Sequence, residues 1–165
     1  MPPVYFDTSV FISIFTGDSS SAAVKELLRE LNRDKTRIYT SIITVQEVSV
    51  QPYRKGTPVE DRFEKVDKLA RIEGVTKEIA LTAAKYEAHI KDQTQTADQE
   101  DNKRRKWDCF HLATAVVLKC RVFYTLDNGQ LKRKSQFALS GLEFLKPQPV
   151  EPTLFPEAAD KPATN

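Results

Sequence analysis

The chain has 165 residues, enough for one domain that buries a substantial core. Hydrophobic residues make up 40% and charged residues 29%, an ordinary globular balance, and no apolar stretch is long enough to cross a bilayer. A formal net charge of +2 excludes a globally basic surface of the kind that binds nucleic acid by charge alone.

M-P-P-V-Y-F-D has no basic stretch before its short apolar run. It is therefore not read as a secretory signal, and a cytoplasmic protein is expected. P-V-Y-F (3–6) predicts a short buried first strand, with Asp7 directly after it. Beyond the loop T-G-D-S-S, Ser19 or Ser20 can cap a helix in which Val24, Leu27, Leu28 and Leu31 recur at helical spacing. R-I-Y-T-S (37–41) predicts a second strand, followed by a helix opening at T-V-Q-E.

Q-P-Y-R-K-G-T-P (51–58) reads as a loop from its proline and glycine content. From Val59, an apolar stripe of Phe63, Val66, Leu69 and Ala70 predicts another amphipathic helix, ending by Gly74. V-T-K-E-I-A-L-T-A-A-K-Y-E-A-H-I then reads as a brief strand or turn capped by Thr76, followed by a helix to about residue 91. The polar segment 92–106 is expected as an exposed loop or frayed helix end. W-D-C-F-H-L-A-T-A-V-V-L-K-C predicts an apolar helix, R-V-F-Y-T-L-D the clearest strand, and G-L-E-F-L (141–145) a last strand.

Residues 1–146 thus form the expected folded domain. Residues 147–165 form a tail with five of the nine prolines, expected to be disordered or extended over a partner. Short strands alternating with helices predict βαβ units and a parallel sheet covered on both faces. In such folds, sites form beyond the carboxyl ends of the strands. Cys109 and Cys120, on one helix, would stand roughly 16 Å apart at about 1.5 Å per residue. That is too far for a disulfide, so both are expected as core thiols.

Four acids fall at strand-to-helix junctions: Asp7, Glu47, Asp108 and Asp127. Each has a local explanation. Thr44 to Glu47 matches a capping box, Asp108 could cap the helix that follows it, and Asp7 and Asp127 could bond their own turns. Together they invite another reading. Four carboxylates brought to one sheet edge repel one another unless a cation lies between them. Mg²⁺ or Mn²⁺ suits such a set, and a site of that type activates water and stabilises charge on a phosphodiester. The basic islands N-K-R-R-K-W (102–107) and L-K-R-K-S (131–135) read either as solvated faces or as a positive approach path for such a substrate.

V-Y-F-D-T-S-V-F-I, T-V-Q-E, W-D-C-F-H-L-A-T-A and F-Y-T-L-D, in that order, resemble the PIN-domain nucleases, and among them the VapC-type toxins of toxin–antitoxin pairs. The resemblance spans roughly residues 3–145. It implies a three-layer α/β/α fold and a metal-dependent ribonuclease with RNA as substrate, acting as a homodimer and blocked by a small antitoxin protein. Asp7, Glu47, Asp108 and Asp127 match the acidic quartet. Ser9 and Thr125 match hydroxyl positions that would hold a carboxylate or a coordinated water in place. Lys103, Arg104, Arg105, Lys106, Lys132 and Arg133 would steer the RNA.

Two features depart from the family pattern: the charged segment 92–106 is long, and no second acid follows closely behind Asp127. His111, three residues after Asp108, could face the site, and helix packing is the reading preferred for it. Trp107 could stack on a base but is expected against its helix, and Tyr53 with Arg54 and Lys55 forms only a weak RNA-binding trio. Two rival readings remain: a PIN-like module that binds RNA or protein without cleaving, and a nuclease acting on DNA or in RNA processing.

Overall fold

A period of two along the strands builds the layers. In the computed structural model, Val4, Phe6, Ile38 and Val122 join one hydrophobic cluster, while Tyr5, Tyr39 and Phe123 join another. Successive strand residues point to opposite sheet faces, so both faces are buried. The structure describes residues 2–93, 99–132 and 141–148; the side chains over 92–105 and at 132 lie outside that description.

The strands are β1 (Val4–Phe6), β2 (Ile38–Ser41), β3 (Arg71–Glu73), β4 (Val122–Tyr124) and β5 (Glu143–Leu145). They form one sheet in the order β3-β2-β1-β4-β5, and every pairing is parallel. The helices are α1 (Thr8–Thr16), α2 (Ser21–Arg33), α3 (Ile42–Lys55), α4 (Glu60–Leu69), α5 (Lys77–Gln93), α6 (Gln99–Val117) and α7 (Asn128–Lys132).

One face of the sheet is covered from α1 to α4 by Val10, Phe11, Val24, Leu28, Leu31, Val48 and Val66. The other is covered from α5 and α6 by Ile79, Ala83, Ile90, Cys109, Leu112, Ala113 and Ala115. This is the three-layer α/β/α arrangement with a short parallel sheet expected from the sequence. On the second face, Tyr5, Phe123 and Phe144 stand in register on β1, β4 and β5, with ring centroids 5.0 Å and 5.1 Å apart along the row.

The strand order reverses between β1 and β4, which places a topological switch point at their carboxyl ends. There the Asp7 backbone N–H donates to the Tyr124 carbonyl at 3.0 Å, tying the two strand exits together. Asp7 occupies the N-cap position of α1 in an extended conformation, yet its side chain makes no cap hydrogen bond. A residue type well suited to capping has its carboxylate employed elsewhere. Helix α1 closes at Gly17 with φ 66°, a left-handed turn that favours glycine, and the Gly17 N–H bonds the Ser13 carbonyl.

Several local expectations are corrected. Residues 51–55 continue α3 instead of forming a loop, with Pro52 inside the helix and the αL turn falling at Gly56. The cap of α3 is Ser41, whose hydroxyl accepts from the Ile43 N–H at 3.2 Å; Thr44 lies within the helix, so the capping box at Glu47 does not form. Much of the charged segment before Trp107 belongs to α6, and Asp108 therefore lies inside that helix, not at its start. α1 and β3 are elements the pattern did not announce.

Thr76 caps α5 as expected, accepting from the Ile79 N–H at 3.2 Å. Cys109 and Cys120 are buried thiols not joined in a disulfide, and burial pushes the Cys120 thiol up to about 12. Among the described residues no helix is long and apolar enough to cross a membrane. The expected tail falls, from residue 149 onward, outside the described residues.

Candidate active site

Asp7, Glu47, Asp108 and Asp127 line one pocket of about 210 Å³, together with Thr8, Ser9, Ile12, His111 and Gln130. They come from the exit of β1, from α3, from α6 and from the turn after β4. Larger clefts open elsewhere, one of about 380 Å³ beside Cys120 and one of about 330 Å³ beside Tyr124, but neither gathers acids from more than one element.

The four carboxylates sit at different depths. Asp7 is buried, Asp108 and Glu47 are half-buried and Asp127 is exposed. Each accepts from a donor. On Asp7, Oδ2 accepts from the Ser9 and Thr125 hydroxyls, both at 2.9 Å. Both bonds fall on the same oxygen, so neither uses Oδ1. Ser9 Oγ also accepts from the Leu126 N–H at 2.9 Å, which links α1 to the turn after β4. Asp108 Oδ1 accepts from the Gln130 amide at 3.0 Å, and Asp127 Oδ1 from the Gly129 N–H at 2.6 Å.

Glu47 is held most elaborately. Its Oε2 accepts a short hydrogen bond from the Thr8 hydroxyl and lies 3.1 Å from His111 Nε2. Burial works against the Glu47 charge, but the hydrogen bond and charge of His111, with the Thr8 hydroxyl, outweigh it and lower the pKa. For His111 burial likewise disfavours the charged ring. The bond to Glu47 and the negative charge of Asp7, Glu47 and Asp108 prevail, so its pKa is raised. Beneath them, Thr8 reaches Thr44 at 3.2 Å and Thr44 reaches Thr40 at 2.8 Å.

A family model described as the PIN domain matches residues 4–135. The chain belongs to the PIN domain family. Among solved structures, this PIN domain is similar to a toxin–antitoxin complex from Klebsiella pneumoniae at 21% identity and TM-score 0.54, covering 84% of this chain and 94% of that one. It is similar to VapBC2 from Rickettsia felis bound to a promoter DNA fragment at 14% identity and TM-score 0.61, covering 87% and 97%. It is also similar to VapBC-1 from nontypeable Haemophilus influenzae at 16% identity and TM-score 0.58, covering 87% and 96%. At these identities the similarity is one of fold. No curated protein matches this PIN domain.

The donor set of the PIN domain's pocket suits a hard divalent cation: carboxylate oxygens from four elements, with no thiolate and one imidazole already engaged by Glu47. Among the described residues no three His, Cys, Asp or Glu side chains form a ready-made ligand cage. Magnesium fits such open walls, because it keeps several of its waters.

Of the residues the sequence singles out, the pocket brings together Asp7, Glu47, Asp108, Asp127 and Ser9, with Thr125 bonded to Asp7; Thr8 and Gln130 were passed over, and His111 was assigned to helix packing. His111 is buried as expected, but its partners are Glu47 and the Tyr5 hydroxyl, not its own helix. Its position three residues after Asp108 was the available signal. Of the basic residues, Lys106 is exposed. Lys103, Arg104 and Arg105 fall on α6 and Lys132 ends α7, but their side chains lie outside the described part of the structure, as does the whole of Arg133. Trp107 packs its ring 6.0 Å from that of Phe110, as expected for a residue resting on its own helix.

Proposed function

We propose that this PIN domain is a divalent-metal-dependent endoribonuclease and the toxin of a toxin–antitoxin pair. The observation that carries the reading is the gathering of four carboxylates from four elements in one pocket at the carboxyl edge of the sheet. A buried carboxylate such as Asp7 beside three others is costly unless a cation compensates it. Asp7, Glu47, Asp108 and Asp127 are the residues that would hold Mg²⁺ or Mn²⁺. When bound, the ion would supply Lewis acidity toward the phosphodiester and lower the pKa of water.

The chain's own groups set the stage for that ion. Ser9 and Thr125 fix Asp7, Thr8 and His111 fix Glu47, and Gln130 fixes Asp108. Lys103, Arg104, Arg105, Lys106, Lys132 and Arg133 flank the acids in sequence and would steer an RNA backbone toward them. The similarity of fold to proteins solved as toxin–antitoxin complexes supports a small antitoxin protein as partner; a homodimer in a cytoplasmic setting completes the proposal.

Purified protein is expected to cut RNA with Mg²⁺ or Mn²⁺, to stop on adding EDTA, and to resume when metal is restored. RNA that is bound but uncut with every divalent metal would replace this reading with that of a binding module.

Gly129 gives a sharper local test. A Cβ at that position would stand 2.9 Å from Asp127 Oδ1, so alanine must push the carboxylate off the Gly129 N–H. Gly129→Ala is expected to lower the cleavage rate on the order of tenfold, the range seen when a ligand's support is removed. Thermal stability should hold within about 1 kcal/mol, since alanine suits a helix better than glycine. An unchanged rate would show that Asp127 needs no fixed orientation.

A further inference from the structure

Two polar side chains lie deeper than the pocket requires. Tyr5 is wholly buried on β1 and His111 is 1% exposed on α6. Burying a phenol and an imidazole is unfavourable unless each is hydrogen-bonded, and apolar residues of similar volume would fill the same layer. Their bonds lead in one direction. The Tyr5 hydroxyl lies 2.7 Å from His111 Nδ1, and the opposite ring nitrogen, Nε2, lies 3.1 Å from Glu47 Oε2.

We propose that Tyr5 and His111 are positioning residues for Glu47, fixing from beneath the carboxylate that the pocket presents to a divalent cation. The inference rests on the reading of the pocket as a metal site.

The chemistry follows from the order of donors. On the neutral ring the phenol donates to Nδ1 and the imidazole's own hydrogen sits on Nε2; on the charged ring Nδ1–H donates to the phenol oxygen, and in both states Nε2–H donates to Glu47. Tyr5 thereby sets the ring as a donor toward the acid. Tyr5 cannot swing away, because its ring stacks on Phe123 with centroids 5.0 Å apart and planes 14° apart. Thr8 supplies the second donor to the same oxygen from α1. Two elements therefore grip Oε2, and a glutamate with three rotatable bonds is held before any ligand arrives.

The test measures Mn²⁺ binding to the metal-free, full-length protein by calorimetry, with a thermal melt for every variant. His111→Gln places an amide N–H where Nε2 stood and is expected to bind Mn²⁺ within about threefold of wild type. His111→Asn is shorter and cannot reach Glu47, and its affinity is expected to fall on the order of tenfold. Tyr5→Phe keeps the stacked ring and loses only the hydroxyl, with a few-fold loss of affinity expected. A purely structural role would lower the melting temperature of all three and move the dissociation constant of none.

His111→Asn and Tyr5→Phe binding Mn²⁺ like the wild type while folded would overturn the proposal; if His111→Asn does not fold, Tyr5→Phe decides alone. Should the wild type itself bind no Mn²⁺, the metal-site reading fails and the proposal falls with it. Should Asp7→Asn abolish binding while the Tyr5 and His111 variants leave it intact, the metal site stands and only the positioning role is lost.

Discussion

Asp7→Asn is expected to remove RNA cleavage while leaving the fold in place. Asn and Asp share one shape, and the asparagine carbonyl can still accept from Ser9 and Thr125, the two hydroxyls now 2.9 Å from Oδ2. What disappears is the negative charge of the most deeply buried acid in the pocket. A preorganised electrostatic contact at a reacting centre contributes on the order of 10²–10³ in rate, and a loss of that size is expected here. Stability should change by less than about 1 kcal/mol, because the hydrogen bonds persist and repulsion from the neighbouring carboxylates is relieved. Initial rates at saturating Mg²⁺, with a thermal melt on the same sample, read both quantities. A variant that melts like the wild type and cuts at the wild-type rate would remove Asp7 from the site.

Phe123→Ala is expected to be the most damaging change to the fold. Phe123 has no exposed surface and fills the middle of the aromatic row, between Tyr5 and Phe144. Truncating a buried phenylalanine costs about 3–5 kcal/mol through lost transfer energy and the cavity left behind. A domain of this size has only about 5–15 kcal/mol in total. Urea unfolding should show the midpoint falling sharply. By contrast Leu81→Ala, at a leucine 63% exposed, should stay within about 0.5 kcal/mol. Phe123→Ala also removes the surface on which Tyr5 is stacked, so cleavage should weaken even where that variant remains folded.

How much of this was legible in the sequence depends on whether the signal was local. Val4, Tyr5 and Phe6, or Val122, Phe123 and Tyr124, are apolar runs too short for a helix and bounded by proline or polar residues, and they read directly as strands. Arg71, Ile72 and Glu73 form a strand only because β2 offers them a parallel edge, and nothing in R-I-E announces it. Thr8 to Thr16 looked like apolar text interrupted by hydroxyls, and its helix depends on packing Val10 and Phe11 under the sheet. Pro52 suggested a break, but α3 runs past it and ends at Gly56, where the left-handed turn satisfies the last carbonyls.

The site divides in the same way. Asp7 and Asp127 were singled out because they follow strands, and strand exits share an edge. Asp108 was singled out as a residue at a helix start, but it lies inside α6. Thr8, His111 and Gln130 owe their roles to partners far away in the chain, such as Glu47 for His111 and Asp108 for Gln130. No window of neighbouring residues carries the bonds of Thr8 and Gln130, and for His111 only its spacing from Asp108 pointed to the site.

The tie between Ser9, Thr125 and Asp7 spans most of the chain, and it has a consequence for how such a protein is made. A polypeptide emerging from the ribosome as far as α5 already carries Asp7 and Glu47, but neither Asp108 nor the clasp that Thr125 places on Asp7. The pocket that gathers the four carboxylates is therefore completed only in the last third of synthesis, and unfinished chains carry no whole site.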